Sequence, residues 1–565
     1  RKNNSTKKII FYDFKYMIYI NILTLFIGVI FLTFSISGLG RLFTVTFKSN
    51  LFLDIFFGFI VISIVTTLIH FFFPVNFKIS LSLLIIGLIS FFNKRNLNFI
   101  KINRNNLIFY FFIVLIFIPM FLSQKYHEDF GYYHLPYSLS FIENKIIFGL
   151  SNINNAYVYN SIWLNINSLF FIHNNNFDYL TLPNFIIYLS FILFAINKIL
   201  TKKKIYISDY YLVVVLLYFL LKFTRISEFG VDLSLSIFSI LSIYFFLRYY
   251  ELDLENEKNF IFFCNVVFAL FAILIKLSSL PIILLPLFLY INNFEKLKLF
   301  IFNYKFYFIY LLCIFFVIQQ FIYTGCFVFP SKFTCLDVSW FSPEFLDLKK
   351  SLELNNKSYS EVREIYSAEE YLSNFNWFPH WIERNYVEIL EHLITIILPV
   401  ILFILCLKKS KLEIKLIFIK KNFFIIFILL NLFFWLSFSP VYRFAIHMFV
   451  TLMFVIFVDF LIVRKFSKKI FLFFLILCII FSFSKNIKRI YEKKNIFVGI
   501  ESIENKYILD KFNSKDYAKI FYPDIEKNKK NGWQGRLCWD IPFICSYNKV
   551  RLNKKNNYLF LYKTN

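Results

Sequence analysis

The sequence predicts an all-α polytopic membrane protein of about fourteen transmembrane helices, with extracytoplasmic loop helices and a small C-terminal α+β or irregular domain. Three observations carry this. Of 565 residues, 59% are hydrophobic and 22% aromatic, against roughly 45–50% apolar in soluble domains. The 83 Phe and 36 Tyr exceed what a water-soluble core of this length can hide. The cations behind the net charge of +26 fall mostly in short segments between apolar runs, where they orient helices rather than bind nucleic acid. The same features exclude a soluble enzyme, a disordered chain and a disulfide-rich secreted scaffold, and 12 Gly and 13 Pro disfavour a β-rich chain. Phe, Ile, Asn, Lys and Tyr all have AT-rich codons, so much of the Asn and Lys excess is read as compositional drift.

A span needs about 20 apolar residues. Candidates lie near 16–36, 51–73, 77–92, 106–122, 182–200, 209–224, 231–249, 259–275, 279–293, 300–323, 387–407, 422–438, 444–463 and 469–484. The start is basic from Arg1 to Lys8, and the long apolar stretch Tyr16 to Phe34 reads as a first membrane helix rather than a cleaved signal peptide. The run at 77–92 is short, and the pair around Pro281 reads as two spans or one broken helix. The chain divides into N-terminal helices (1–105), a membrane core (106–323) holding a first large outer loop (123–181), a second outer loop (324–386), C-terminal helices (387–484) and a polar tail (485–565).

Lys and Arg in short connections orient the helices. Six clusters recur: Lys94 to Arg104, Lys198 to Lys204, Arg248 with Lys258, Lys296 with Lys298, Lys408 to Lys421, and Arg464 to Lys469. Placed in the cytoplasm, they leave 123–181, 225–230, 276–278, 324–386, 439–443 and the tail on the periplasmic side of a bacterial inner membrane. The alternation holds from the fourth helix onward, whereas parity puts the basic N-terminus outside too. Cysteine usage agrees with this sidedness. Cys264, Cys313, Cys406 and Cys478 lie in apolar runs, whereas Cys326, Cys335, Cys538 and Cys545 fall outside, where an oxidising compartment permits disulfides. Cys326 with Cys335 and Cys538 with Cys545 are the economical pairs among three pairings. Zinc is the rival reading, but no His stands at ligand spacing.

Charged residues gather on that outer side, where they are costly and usually functional. The first loop opens with Glu128, Asp129, Tyr133 and His134 after a span. Arg225, Glu228 and Asp232 share one face if helical. Lys276 and Arg443 each stand at the top of a helix. Such a face suits an anionic lipid-linked substrate, since Arg forks onto phosphate oxygens and Lys acts as a point charge. A carboxylate under an apolar roof serves as general base. Structural readings stand beside these: an interfacial Arg225–Glu228 pair, a snorkelling Lys276, a packed His134, and Trp340, Trp377 and Trp381 as packing or interface residues rather than sugar platforms.

This arrangement resembles the GT-C class of membrane glycosyltransferases, in which the first large outer loop opens with an acidic residue. The resemblance implies that Asp129, with Glu128 beside it, is the catalytic base or orients the acceptor. It also implies that a polyprenyl-phosphate-linked sugar is the donor. Over roughly residues 50–550 the chain is also similar to a largely uncharacterised family of bacterial polytopic inner-membrane proteins. The matching patterns are Asp129 to Pro136, Glu228 to Asp232, Lys276 to Ser279, Gly325 to Cys335, Pro440 to Phe444 and Cys538 to Cys545. Val441-Tyr442 departs from that pattern, which often has an acidic residue before the Arg.

The expected function is inverting sugar transfer on the periplasmic face to a lipid, glycan or protein. Asp129 takes the acceptor proton, Arg225, Lys276 and Arg443 hold the leaving phosphate, and His134 and Asp232 position substrate. Some relatives in the class use a divalent metal, which no spacing here demands. The alternatives are a glycan polymerase or ligase using diphosphate-linked donors, and a lipid-linked glycan transporter or flippase. Transporters usually place charges near mid-membrane and show repeats; this chain has no repeat and carries its charges at the rim. The tail, with Gly532-Trp533-Gln534-Gly535 before its cysteine pair, reads as a cap over the site.

Overall fold

In lipid a backbone must satisfy its own hydrogen bonds, so long apolar runs become helices. The computed structural model describes residues 2–44, 50–93, 104–123, 129–170, 180–202, 204–223, 226, 230–329, 331–409, 421–492, 520, 522, 538 and 544–563. Its helices of seven residues or more are α1 (Lys2–Thr44), α2 (Leu51–His70), α3 (Phe77–Phe92), α4 (Arg104–Leu122), α5 (Leu135–Glu143), α6 (Ile162–Ser168), α7 (Leu182–Thr201), α8 (Ile207–Lys222), α9 (Asp232–Tyr249), α10 (Glu255–Ile275), α11 (Leu284–Asn292), α12 (Tyr304–Thr324), α13 (Phe345–Asn356), α14 (Trp377–Cys406), α15 (Lys421–Phe438), α16 (Ile446–Ile462) and α17 (Lys468–Tyr491). An antiparallel hairpin, β1 (Val550–Lys555) with β2 (Tyr558–Lys563), closes the described chain.

Eight described helices are long and apolar enough to cross a membrane: the Ile22–Thr44 part of α1, then α2, α7, α9, α10, α12, α14 and α17. A ninth is added if Leu277–Asn292 and Phe294–Phe302, bent by 100°, form one span. That is fewer than the fourteen expected. The helices at 77–92, 108–122, 422–438 and 446–462 are apolar but short. A helix of 16 residues such as α3 reaches about 24 Å, less than the roughly 30 Å hydrocarbon core. Two boundaries also move. Helix α17 continues to Tyr491, past the expected start of the tail at 485. Helix α14 begins at Trp377, inside the expected loop 324–386.

Two ends of the bundle differ in chemistry. At one end the tips of α7 to α9, α14, α16 and α17 meet. Lys202 pairs with Asp209, Arg248 with Glu251 at 3.0 Å, and the Arg464 guanidinium donates to the Leu407 carbonyl at 3.0 Å. The opposite tips carry both disulfides and the acidic start of the first loop. Close approach between α1 and α2 rests on glycine. A Cβ on Gly40 would stand 1.8 Å from the Asp54 carbonyl oxygen, and one on Gly58 2.0 Å from that of Ile36. Small residues let membrane helices pack backbone to backbone in this way.

The described part of the first loop is not a surface excursion. Residues 129–170 are largely buried, and the Asn152, Asn154, Asn160 and Asn165 side chains are hydrogen-bonded inside. The Tyr137 hydroxyl donates to Asn165 Oδ1 at 2.7 Å and lies 3.1 Å from Asn160 Oδ1; both Asn amides donate to Gln319 of α12 at 3.0 Å. Buried amides of this kind fix register because each loses heavily if unpaired.

Candidate active site

Four charged side chains from four separate segments meet at the disulfide-bearing end. Asp129 follows α4 and precedes one π-helical turn, Phe130–His134, in which the Leu135 N–H donates to the Phe130 carbonyl. Such wide turns are frequent at functional sites. Asp232 is the first residue of α9, where the helix N-terminus favours a carboxylate. Lys276 stands where α10 ends, and Arg443 lies in the short turn Tyr442–Phe444 before α16.

Their geometry forms a chain of alternating charge. The Lys276 ammonium donates to Asp232 Oδ1 at 2.9 Å. Arg443 Nε stands 3.2 Å from Asp232 Oδ2, and its Nη2 3.6 Å from Asp129 Oδ2. Lys276 also lies over the Phe444 ring, 2.9 Å from its centre, a cation–π contact that desolvation strengthens. Among the described residues two cations thus balance two carboxylates. The Arg443 side chain is 50% exposed and its partners 23–28%, so the cluster is open to an incoming group and is worth little as a stability element.

His134 is buried beside this chain, its ring centre 4.1 Å from that of Tyr133. Burial draws its pKa down to about 4, against the opposing pull of Asp129 and Asp232, which keeps the imidazole neutral near pH 7. Tyr132 moves the other way: burial, then the Asp129 charge, lifts its phenol above the ordinary value.

The surrounding structure fixes each backbone. Trp381 Nε1 donates to the Pro440 carbonyl at 3.0 Å and Trp435 Nε1 to that of Val441 at 2.8 Å, so two indoles hold the irregular stretch before Arg443. Asn184 accepts from Trp163 at 2.8 Å and donates to the Gly230 carbonyl at 3.0 Å, two residues before Asp232. Over the π-helical turn, the Cys538 N–H donates to the Gly131 carbonyl at 3.0 Å, and Tyr547 Oη to that of Tyr132 at 3.1 Å. Phe148 pairs with the hairpin through Leu559 and Leu561.

Asp129, His134, Asp232, Lys276 and Arg443 are therefore brought together, with Tyr133 at the border. Glu128, Arg225 and Glu228 lie outside the described residues, so the shared face expected for Arg225, Glu228 and Asp232 does too. Cys326 is bonded to Cys335 and Cys538 to Cys545. Trp340 packs between Phe148 and Phe321, with Phe560 against it. Among the described residues no three His, Cys, Asp or Glu side chains gather as a metal site. The sequence reading missed Phe444, Trp435 and Tyr547 as partners of the site. For Phe444 the signal was present, since it neighbours Arg443; for the other two nothing local marks them.

A family model described as "Domain of unknown function (DUF8201)" matches residues 11–450. The chain belongs to this family. The DUF8201 segment holds all four charged residues and both pinning indoles; the Cys538–Cys545 loop and the hairpin lie beyond it. No curated protein and no solved structure matches the chain.

Proposed function

We propose that this DUF8201 protein is a membrane glycosyltransferase. It moves a sugar from a polyprenyl-phosphate donor to a lipid, glycan or protein acceptor on the periplasmic face of a bacterial inner membrane. The observation that carries this reading is the balanced Asp129–Arg443–Asp232–Lys276 chain at one end of the bundle. A phosphate entering it competes with Asp129 for Arg443. The carboxylate is then released to accept the acceptor hydroxyl proton while that oxygen attacks the anomeric carbon and the lipid phosphate departs with its electron pair. Lys276 and Arg443 meet the charge that builds on the leaving phosphate, and Asp232 holds both cations in place. Neutral His134 positions polar groups without adding charge. The sidedness is supported by the basic opposite end and by the disulfides at the site end, which fit an oxidising compartment.

The test is transfer of labelled sugar from polyprenyl-phosphate donors by the purified full chain. Asp129→Asn is expected to lower turnover about 100-fold or more, the scale of general-base catalysis, while donor binding survives. Arg443→Ala is expected to lose donor binding as well. Turnover unchanged in Asp129→Asn would remove the base role, and absence of donor binding by the wild type would remove the reading.

A further inference from the structure

A second feature lies beside the site and is used by nothing described so far. A cleft of about 660 Å³ opens between α8, α14, α16 and α17, and Arg443 forms part of its wall. This is within the size range of small-molecule sites, roughly 300–1,000 Å³. Among the described residues its lining carries four cations, Lys222, Arg443, Lys485 and Arg489, against two carboxylates, Glu388 and Glu391. Arg443 is already balanced by Asp129 and Asp232, so among the described residues the cleft keeps an excess of one positive charge.

Polarity changes along the cleft. Lys222 ends α8, and Lys485 and Arg489 fall in the last two turns of α17, all at the site end of the bundle. Deeper along α14 and α17 the wall becomes Ile394, Leu398 and Phe481, which are 58%, 54% and 46% exposed. Exposed apolar residues on membrane helices, below a basic rim, make a surface open sideways to lipid. Pro399, which also lines the cleft, cannot donate a helical hydrogen bond to the Thr395 carbonyl. The rim is also preorganised. Arg489 donates to Asn486 Oδ1 at 2.8 Å, and that oxygen accepts from Ser123 at 2.6 Å. Lys222 is held by Glu391 at 2.9 Å.

We propose that this cleft binds the phosphate headgroup of an anionic membrane lipid, with Lys222, Lys485 and Arg489 on the phosphate and the tail against Ile394, Leu398 and Phe481. A free phosphate would use the rim but waste the apolar wall; a zwitterionic lipid would use the wall but not the excess charge. Guanidinium and ammonium groups at the headgroup level, with stems along apolar surface, are suited to this task. Arg443 joins the cleft to the Asp129–Asp232–Lys276 chain, so a headgroup seated here touches the site from the membrane side. The assignment does not depend on sugar transfer.

The experiment uses the full chain in detergent, with phosphatidic acid as probe, phosphatidylcholine and inorganic phosphate as comparisons, and dissociation constants as readout. Phosphatidic acid is expected to bind more tightly than phosphatidylcholine, with affinity falling as salt rises. The double variant Lys485→Gln/Arg489→Gln is expected to weaken it about tenfold or more. Leu398→Trp, which fills the wall and keeps every charge, is expected to weaken it as well. Lys488→Gln, on the same helix but outside the cleft, is expected to leave it unchanged. Equal binding of both lipids, equal affinity in the double variant, or competition by inorganic phosphate at the lipid's own concentration would each overturn the proposal. Asp129→Asn separates the two readings: it should retain phosphatidic acid affinity whether or not transfer is lost.

Discussion

At the residue scale, Arg443 bears the most contacts of consequence, because it touches two carboxylates from different segments and lines the adjoining cleft. Its carboxylate partners could not be found nearby in sequence, where Val441 and Tyr442 precede it. They come from residues 129 and 232. Asp129, Asp232 and Lys276 were each visible as polar residues at span ends, but which of them pair was not. His134 gives a pH prediction. Its folded pKa of about 4 lies below the ordinary 6.5, so the unfolded chain binds the extra proton first as pH falls. Stability is full above pH 6.5, declines between 6.5 and about 4, and levels off below. The difference is about 3 kcal/mol. In thermal unfolding scans, His134→Gln should lose less stability than wild type over that window; parallel curves would exclude a neutral buried imidazole.

At the scale of elements, the short turns before α9 and α16 decide the site's geometry, and tryptophans hold one of them. Trp435→Phe leaves the Val441 carbonyl without its indole donor. The expected cost is about 1 kcal/mol in stability and a weaker donor affinity, with the Asp129→Asn phenotype absent. Equilibrium unfolding and donor titration read the two effects separately. Packing of α1 against α2 predicts a different behaviour. Gly58→Val puts a side chain where the Ile36 carbonyl stands, and overpacking of this kind costs about 1–3 kcal/mol or more. A lower unfolding temperature with normal donor binding is expected, since the atoms nearest a Cβ at Gly58 all belong to Ile36 and none to the charged chain. The Asn residues teach the converse lesson. Much of the Asn excess reads as compositional drift, yet Asn160, Asn165 and Asn184 hold the buried loop together. Composition cannot separate an amide that sits in water from one that bridges two helices.

At the scale of the whole molecule, the C-terminal segment closes over the first loop. Cys538 and Tyr547 bind the carbonyls of Gly131 and Tyr132, and the hairpin pairs with Phe148. Ending the chain after residue 537 is therefore expected to loosen the turn that carries Asp129. Limited proteolysis should show faster cleavage within residues 129–158, with α14 to α17 still protected; an unchanged digest would mean that the first loop holds its shape unaided. The six basic clusters predict a sidedness because each is a local property of a connection.

Hydropathy and charge along the chain were enough to give the helical membrane class and most of the places where helices form. These depend on hydropathy over one span and on charge in one loop, both local in the chain. Tertiary structure alone decided that Asp129, Asp232, Lys276 and Arg443 form one alternating chain, that two indoles fix the approach to Arg443, and that a basic cleft opens beside it. The contacts within the charged chain join segments more than 40 residues apart. Their partners are set by how helices pack side by side, a property of the whole bundle that no local stretch contains.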